Sequence, residues 1–250
     1  MTKLNTFRQN LKKFLRGNLF PQYFTCILCD IEIFKGELCA DCLKRLVLNN
    51  GTTCPRCGRK TAKSEICIEC KAHLPAYDRA LSPLIYDKGS ADLIARFKGG
   101  QPHIAEYLSR LIAEKIEELP EVDGIVSVPM SARALRDRGY NQSELLAEAV
   151  SERTGIPVLY GAAEKAGETP AQKELTRAER LKNLRTAFKA DKSLVKDKAL
   201  LIIDDVMTTG ATLDSLALTL KNAGARSVFA VAAASVEYKS TAFSPSILRK

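Results

Sequence analysis

Four Cys-x-x-Cys pairs lie within a short stretch of this 250-residue chain, and no cysteine lies outside it. The eight residues are Cys26, Cys29, Cys39, Cys42, Cys54, Cys57, Cys67 and Cys70. Each cysteine of the second foursome follows its counterpart by 28 residues (26 to 54), so the stretch repeats one small unit. A Cys-x-x-Cys turn brings two thiolates to one tetrahedral ion, and two such turns complete a four-thiolate shell. The spacing therefore predicts two closed, structural zinc sites.

Three features of this cysteine module stay open in the sequence. Sequential sites (26/29/39/42 and 54/57/67/70) fit the repeat, although an interleaved arrangement also satisfies the ligand count. His73 is an alternative ligand, but eight cysteines already fill two sites. A disulfide framework would require an oxidising compartment, whereas the N-terminus lacks the apolar run and cleavage site of a secretory signal. We therefore expect zinc-bound cysteines in a cytoplasmic protein.

The charge balance permits an acidic partner. The chain carries 38 Lys and Arg against 29 Asp and Glu, a formal net charge of +9, which suits nucleic acid or a phosphorylated substrate. Residues 1–20 contain five basic residues and no acidic one, and apolar residues recur there near helical spacing. They predict a basic amphipathic helix that either lies on a nucleic-acid or membrane surface or packs against the zinc module. No apolar run is long enough to span a bilayer.

The rest of the chain alternates between helical and strand patterns. Helical periodicity marks residues 90–98, 103–119, 142–153 and 213–220, and Thr176 with Glu179 forms a capping box that opens a further helix. Apolar runs predict strands at 125–128, 157–160, 200–205 and 228–236. This alternation predicts an α/β domain with a parallel sheet, helices on both faces and a ligand site at the carboxyl ends of the strands. We expect three regions: a helix over 1–20, the double zinc-ribbon module over 21–72 and the α/β domain over 73–250.

The sharpest chemistry follows the strand at 200–205. Asp204 and Asp205 end this strand, and a loop of small residues then leads into a helix. The loop and the helix start comprise Met207, Thr208, Thr209, Gly210, Ala211 and Thr212. A helix N-terminus offers N–H donors to a phosphate, and adjacent carboxylates accept hydrogen bonds from the vicinal hydroxyls of a ribose. The segment predicts a cradle for ribose 5-phosphate; a divalent-metal carboxylate pair and a structural N-cap with solvated acids are the alternatives.

A second basic feature follows the strand at 125–128. Arg133, Arg136 and Arg138 lie in a predicted loop after Val128-Pro129. Three guanidinium groups beside a phosphate cradle would neutralise a pyrophosphate or contact a nucleic-acid backbone. A solvated basic turn is the alternative.

Taken together, these motifs resemble those of a known family. The segment 200–212 is similar to the phosphoribosyl-pyrophosphate (PRPP) motif of type I phosphoribosyltransferases, and nearly the whole chain resembles the ComF family. The shared features are the double zinc ribbon, Phe97-Lys98-Gly99-Gly100, the segment from Arg133 to Gln142, and Thr169-Pro170-Ala171-Gln172 followed by Arg180 and Asn183.

The resemblance implies a type I phosphoribosyltransferase-like sheet with helices on both faces. It implies that Asp204, Asp205 and the residues from Met207 to Thr212 bind PRPP with Mg²⁺, that the three arginines hold its pyrophosphate, and that the stretch 161–183 closes over it. In naturally transformable bacteria it also implies a role in the uptake and handling of single-stranded DNA, with a competence helicase as a partner.

Three functions are compatible with these features: a competence factor that binds PRPP, an active transferase that passes the ribosyl group from Mg-PRPP to an unidentified acceptor, and a PRPP-sensing regulator. Thr208 stands where purine-salvage relatives often carry an aspartate base, and Ser131 stands where ComF relatives commonly carry a histidine, so we assign no catalytic residue. The sequence has no G-x-x-x-x-G-K-[ST] motif, so any energy for moving DNA must come from another protein. A binding or accessory role is favoured.

Overall fold

The computed structural model of the protein describes residues 25–166 and 187–237. The predicted helix over 1–20, the helix opened by Thr176 and most of the stretch 161–183 lie outside the described residues. The chain divides into two compact units, residues 1–45 and residues 46–250, so the boundary falls between the two cysteine foursomes. Within the two described ranges, no helix has the length and apolar character needed to cross a membrane.

The first unit contains the first cysteine repeat. An antiparallel bridge joins Thr25 to Glu32 and closes the turn that carries the first Cys-x-x-Cys pair. Helix α1 (Ala40–Lys44) begins after Cys39, whose Sγ accepts a hydrogen bond from the Cys42 N–H at 3.4 Å. The turn and the helix start therefore each hold two thiols near one another.

The second repeat has the same backbone plan and belongs to the second unit. An antiparallel bridge joins Thr53 to Lys60, again 28 residues (25 to 53) after its counterpart, and helix α2 (Ile68–Ala72) follows. Gly58 has a φ of +66°, and a Cβ at this position would lie 2.2 Å from the carbonyl oxygen of Ala80. Glycine is therefore required here, because it supplies both the positive φ and the close approach of the two backbones.

A parallel sheet forms the centre of the second unit. The strands described in this unit are β1 (Arg79–Leu81), β2 (Leu84–Ile85), β3 (Gly124–Ser127), β4 (Ala163–Lys165), β5 (Phe188–Ala190), β6 (Ala199–Met207) and β7 (Ser227–Ser235). The parallel sheet has the order β1-β7-β6-β3, and β2 also pairs with β7. β4 and β5 form a separate antiparallel pair. Because β3 and β6 are parallel neighbours, their carboxyl ends lie side by side.

Helices cover both faces of this sheet. They are α3 (Lys88–Lys98), α4 (Ile104–Ile116), α5 (Ala132–Arg138), α6 (Gln142–Thr154), α7 (Lys192–Val195) and α8 (Ala211–Asn222). α4 packs against α6, and both contact the sheet. Leu213 and Leu216 of α8 share a hydrophobic core with Leu200 and Ile202 of β6. Residues 199–203 are all buried, as expected of a parallel strand that is covered on both sides. The expected fold class is confirmed.

Two local predictions are wrong. The segment 157–160 is not a strand, because it forms only a single parallel bridge, between Val158 and Ile125. The segment that carries Arg133, Arg136 and Arg138 is a short helix, α5, rather than a loop. Ser131 begins it, because its Oγ accepts a backbone N–H of the first turn at 3.2 Å, and Gly139 ends it with a φ of +80°. No residue of α5 is buried. The helix therefore has no apolar face, and the apolar periodicity that reveals other helices is missing from its sequence.

Candidate functional site

The eight cysteines form two clusters of four, with the sequential pairing. In each cluster the Sγ atoms all lie within 4.8 Å of one another. The Sγ atoms of Cys29 and Cys39 are 3.8 Å apart, as are those of Cys57 and Cys67 in the second cluster. Tetrahedral Zn–S bonds of about 2.3 Å place the ligand sulfurs about 3.8 Å apart. The two clusters therefore fit two zinc-ribbon sites with four cysteine ligands each.

The electrostatics of the second cluster also favour a cation. Burial and the neighbouring thiols raise the pKa of Cys70. Burial opposes ionisation of Cys54 as well, but backbone N–H groups lower its pKa to about 7. A divalent ion stabilises all four thiolates together, which the protein groups alone do not do. His73 is outside this cluster, since its Nε2 lies 2.9 Å from Oδ2 of Asp214.

The second zinc cluster is built into the core next to the predicted phosphate loop. Its four cysteines are at most 5% exposed and share one core with residues around that loop. These neighbours are Tyr77, Met207 and Leu213. The guanidinium of Arg56, inside the Cys-x-x-Cys turn, donates to the carbonyls of Pro75 and Asp78 at 2.7 and 2.8 Å. The ribbon, the start of β1 and the start of α8 therefore form one packed body.

The two predicted carboxylates lie near the carboxyl end of β6. Ser143 Oγ, on the first turn of α6, donates to Asp204 Oδ1 at 2.9 Å. Lys98 Nζ, at the end of α3, lies 2.8 Å from Asp205 Oδ2. Burial and, secondly, the charge of Asp205 raise the pKa of Asp204 to about 7, although Ser143 and Lys98 oppose the shift. The pair therefore offers several oxygen acceptors close together, as a vicinal diol requires.

The loop after β6 closes on a left-handed glycine. Gly210 has a φ of +79° and directly precedes α8, and a Cβ on it would lie 3.2 Å from Tyr77 Oη. Asp87, Ser131 and Asn141 cap α3, α5 and α6 with their side chains, whereas Gly210 has no side chain to offer. The N–H groups of the first turn of α8 lack intrahelical acceptors, so they are suited to receive a phosphate.

The other predicted PRPP contacts divide between core and surface. Met207 is 2% exposed, so its side chain supports the loop from the core. Thr208, Thr209 and Thr212 are exposed, and Ala211 donates its N–H to Thr209 Oγ1 at 3.3 Å. Three threonine hydroxyls are thus open to solvent at the start of α8.

The arginine helix follows β3 and therefore starts at the same edge of the sheet as the carboxylates. Arg138 Nη1 donates to Gln142 Oε1 at 3.2 Å, and the following residue, Ser143, holds Asp204. Gln142 Nε2 is buried and finds no acceptor among the described residues. All three arginines of this helix are exposed. One guanidinium group and one orphaned amide donor are therefore connected to the carboxylate pair through the start of α6.

Sequence patterns did not identify four residues that the fold brings to this region. They are Tyr77, Lys98, Ser143 and Asp214. Ser143 and Asp204 are 61 residues apart in the chain, and no local pattern links them. Lys98 had a weak signal, because a lysine at a helix end before Gly99-Gly100 stood among the features shared with the ComF family.

Comparison with known proteins gives two domain matches and several relatives that align with most of the chain. Residues 16–71 match the family described as a double zinc ribbon domain, and residues 141–242 match the phosphoribosyl transferase domain. The chain is 32% identical over 213 residues to DNA utilization protein YhgH of Escherichia coli (strain K12), covering 81% of this chain and 93% of that protein.

Two further relatives carry competence names. The chain is 29% identical over 217 residues to Competence protein F of Haemophilus influenzae, covering 82% of this chain and 94% of that protein. It is 30% identical over 195 residues to Competence protein ComFC of Streptococcus pneumoniae, covering 76% and 84%. Both domain matches occur in the expected order. The chain therefore belongs to the ComF family, in which a double zinc ribbon precedes a phosphoribosyltransferase domain.

Proposed function

We propose that this protein binds PRPP at the carboxyl end of its parallel sheet and acts in natural transformation, in the handling of single-stranded DNA in the cytoplasm. One observation carries the PRPP assignment. Residues 204–212 combine a carboxylate pair, three exposed threonines and a helix start whose N-cap residue, Gly210, has no side chain. These groups match the hydroxyls and the 5-phosphate of one ribose 5-phosphate unit. Of the N–H groups at this helix start, that of Ala211 already donates to Thr209 Oγ1.

Each part of PRPP has a proposed partner. The ribose hydroxyls donate to Asp204 and Asp205, and the 5-phosphate accepts hydrogen bonds from the loop N–H groups and the threonine hydroxyls. The pyrophosphate is held by the guanidinium groups of α5, namely Arg133, Arg136 and Arg138. Mg²⁺ bound to the pyrophosphate would neutralise part of its charge. In this proposal every part of PRPP has a binding partner, and we propose a binding role rather than turnover.

The competence part of the proposal is supported by the relatives. Two of them are named Competence protein F and Competence protein ComFC, and they align with most of this chain. The net charge of +9 suits contact with DNA phosphates. Two four-cysteine zinc sites suit a reducing compartment, because their thiols must stay free of disulfides. A competence helicase is the proposed source of energy for DNA movement.

Calorimetric titration of Mg-PRPP into the zinc-loaded protein tests the PRPP assignment. We expect saturable binding by the wild type and a loss of at least roughly 100-fold in affinity for Asp204→Asn/Asp205→Asn, since two hydrogen bonds to charged acceptors are weakened. Glu117→Gln/Glu121→Gln is the matched control, because both of these acids are exposed and lie away from the site. Absence of binding by folded wild type, or equal binding by the double variant, would contradict the proposal.

Fluorescence anisotropy with a labelled single-stranded oligonucleotide tests the DNA part separately. If phosphates are neutralised, log K should fall with log salt concentration with a slope of about −0.7 per phosphate contact. Replacement of Arg136 and Arg138 by alanine should make that slope shallower if α5 contributes to the DNA surface. Binding that does not change between low and high salt would refute a phosphate-based interaction.

A further inference from the structure

Lys98 contacts the proposed PRPP site but has no role in the binding proposed above. Its Nζ lies 2.8 Å from Asp205 Oδ2, and the Lys98 side chain is 34% exposed whereas that of Asp205 is 13% exposed. The lysine is the last residue of α3, whose Leu93, Ile94 and Phe97 are at most 1% exposed. The buried face of α3 thus fixes the base of the Lys98 side chain, and its ammonium group remains accessible to a ligand.

The backbone beside Lys98 is tied to the arginine segment. The hydroxyl of Tyr140 donates a hydrogen bond to the Phe97 carbonyl, and the two rings lie 6.2 Å apart between centroids. Tyr140 follows α5 directly after Gly139, whose left-handed conformation turns the chain. The backbone at the end of α3 is therefore tied to the residues that directly follow the helix with the three guanidinium groups.

We propose that Lys98 is a pyrophosphate-binding residue, which pairs with Asp205 in the free protein and with the pyrophosphate of PRPP in the complex. The assignment rests on the proposed function. The pyrophosphate of PRPP is attached to C1 of the ribose, next to the hydroxyl on C2. An ammonium group in contact with a carboxylate that accepts the ribose hydroxyls is therefore within reach of the C1 substituent. Release of Asp205 also frees an acceptor for the sugar.

This exchange of partners makes a prediction that simple charge neutralisation does not make. If Lys98 only stabilised the carboxylate pair, its loss would affect ribose 5-phosphate and PRPP alike. If Lys98 binds pyrophosphate, its loss weakens PRPP and inorganic pyrophosphate. The affinity for ribose 5-phosphate then stays constant or rises, because Asp205 no longer has a competing cation.

The test is calorimetric titration of Lys98→Met with three ligands: Mg-PRPP, inorganic pyrophosphate with Mg²⁺, and ribose 5-phosphate. We expect PRPP affinity to fall roughly 10- to 100-fold, as for loss of a hydrogen bond to a charged group, whereas ribose 5-phosphate affinity stays constant or rises. Lys88→Met is the matched control, because Lys88 is an exposed lysine at the other end of the same helix. Lys98→Arg retains the charge and should recover part of the PRPP affinity.

Three outcomes would overturn the assignment. Equal losses for PRPP and ribose 5-phosphate would show a structural role, and unchanged PRPP affinity in Lys98→Met would show no role. Failure of the wild-type protein to bind either sugar phosphate would remove the proposed function and this assignment with it. Failure of the Lys98 assignment alone is a different result, because the wild type then still binds PRPP. Zinc content and the thermal transition of each variant confirm folding, and Lys98→Arg provides the comparison if Lys98→Met unfolds.

Discussion

Replacing Asp214 by alanine should destabilise the second unit, because this carboxylate joins the first turn of α8 to the segment that follows the second zinc ribbon. Its Oδ1 accepts the backbone N–H of Ala76 at 2.6 Å, and its Oδ2 lies 2.9 Å from Nε2 of His73. The change leaves the partly buried Ala76 N–H without its acceptor. It also removes an acidic group from the start of a helix.

The expected magnitude follows from these contacts. A hydrogen bond to a charged acceptor contributes about 1.5–3 kcal/mol, and an acidic residue in the first helical turn adds about 0.3–1 kcal/mol. The His73 contact adds little, since the histidine side chain is 65% exposed. The free energy of unfolding should therefore fall by about 2–4 kcal/mol, which lowers the Tm of a unit of this size by roughly 5–15 °C.

Differential scanning calorimetry of the zinc-loaded protein measures this change. Asp214→Asn should lose only about 1 kcal/mol, because its amide oxygen still accepts the Ala76 N–H while the charge near the helix start is removed. Glu121→Ala, an exposed acid before β3, is the control and should leave the Tm nearly unchanged. A Tm for Asp214→Ala within about 1 °C of the wild type would refute the reasoning, because a loss of about 2–4 kcal/mol should lower the Tm by roughly 5–15 °C.

Two further predictions concern the loop and the carboxylate pair. Gly210→Ala should lower PRPP affinity and the free energy of unfolding more than Gly155→Ala does. Both glycines have a φ near +80°, so both changes strain the backbone. The new Cβ would also meet Tyr77 Oη at Gly210, whereas nothing lies within 4 Å at Gly155. Equal effects of the two changes in calorimetry would show that the contact with Tyr77 does not matter. Asp204 should make stability depend on pH, because burial and Asp205 raise its folded pKa to about 7, above its ordinary value of 3.8. The contribution of Asp204 to the free energy of unfolding is complete below its ordinary pKa and is lost as pH rises through about 7. The free energy of unfolding of Asp204→Asn should therefore change less between pH 4 and 8 than that of the wild type. Parallel pH profiles of the two proteins would contradict this.

Much of the fold was accessible from sequence because its signals are local. The predicted helices at 90–98, 103–119, 142–153 and 213–220 correspond to α3, α4, α6 and α8, and the predicted strands at 125–128, 200–205 and 228–236 correspond to β3, β6 and β7. Buried faces impose apolar periodicity on such elements. The elements that were not predicted have weak periodicity or are very short: α5 buries no residue, and β1 and β2 have only three and two residues, with Pro83 between them.

The sequence by itself determined the donor chemistry of this protein. The spacing of the cysteines sets two four-sulfur zinc sites, and the order of strand, carboxylate pair, small loop and helix places acceptors beside N–H donors. Both are properties of a few adjacent residues, since a turn or a helix start needs no distant partner to form its geometry.

Only the tertiary structure decided what stands next to those groups. The cysteines group in the sequential pairing, and Tyr77 lies between the second ribbon and the loop. Lys98 contacts Asp205, and Ser143 donates to Asp204. A lysine and a serine are common surface residues, and no spacing rule connects them to carboxylates far along the chain. Their partners follow from the path of the chain over a parallel sheet, where strands that are distant in sequence end at one edge and the residues after them meet there.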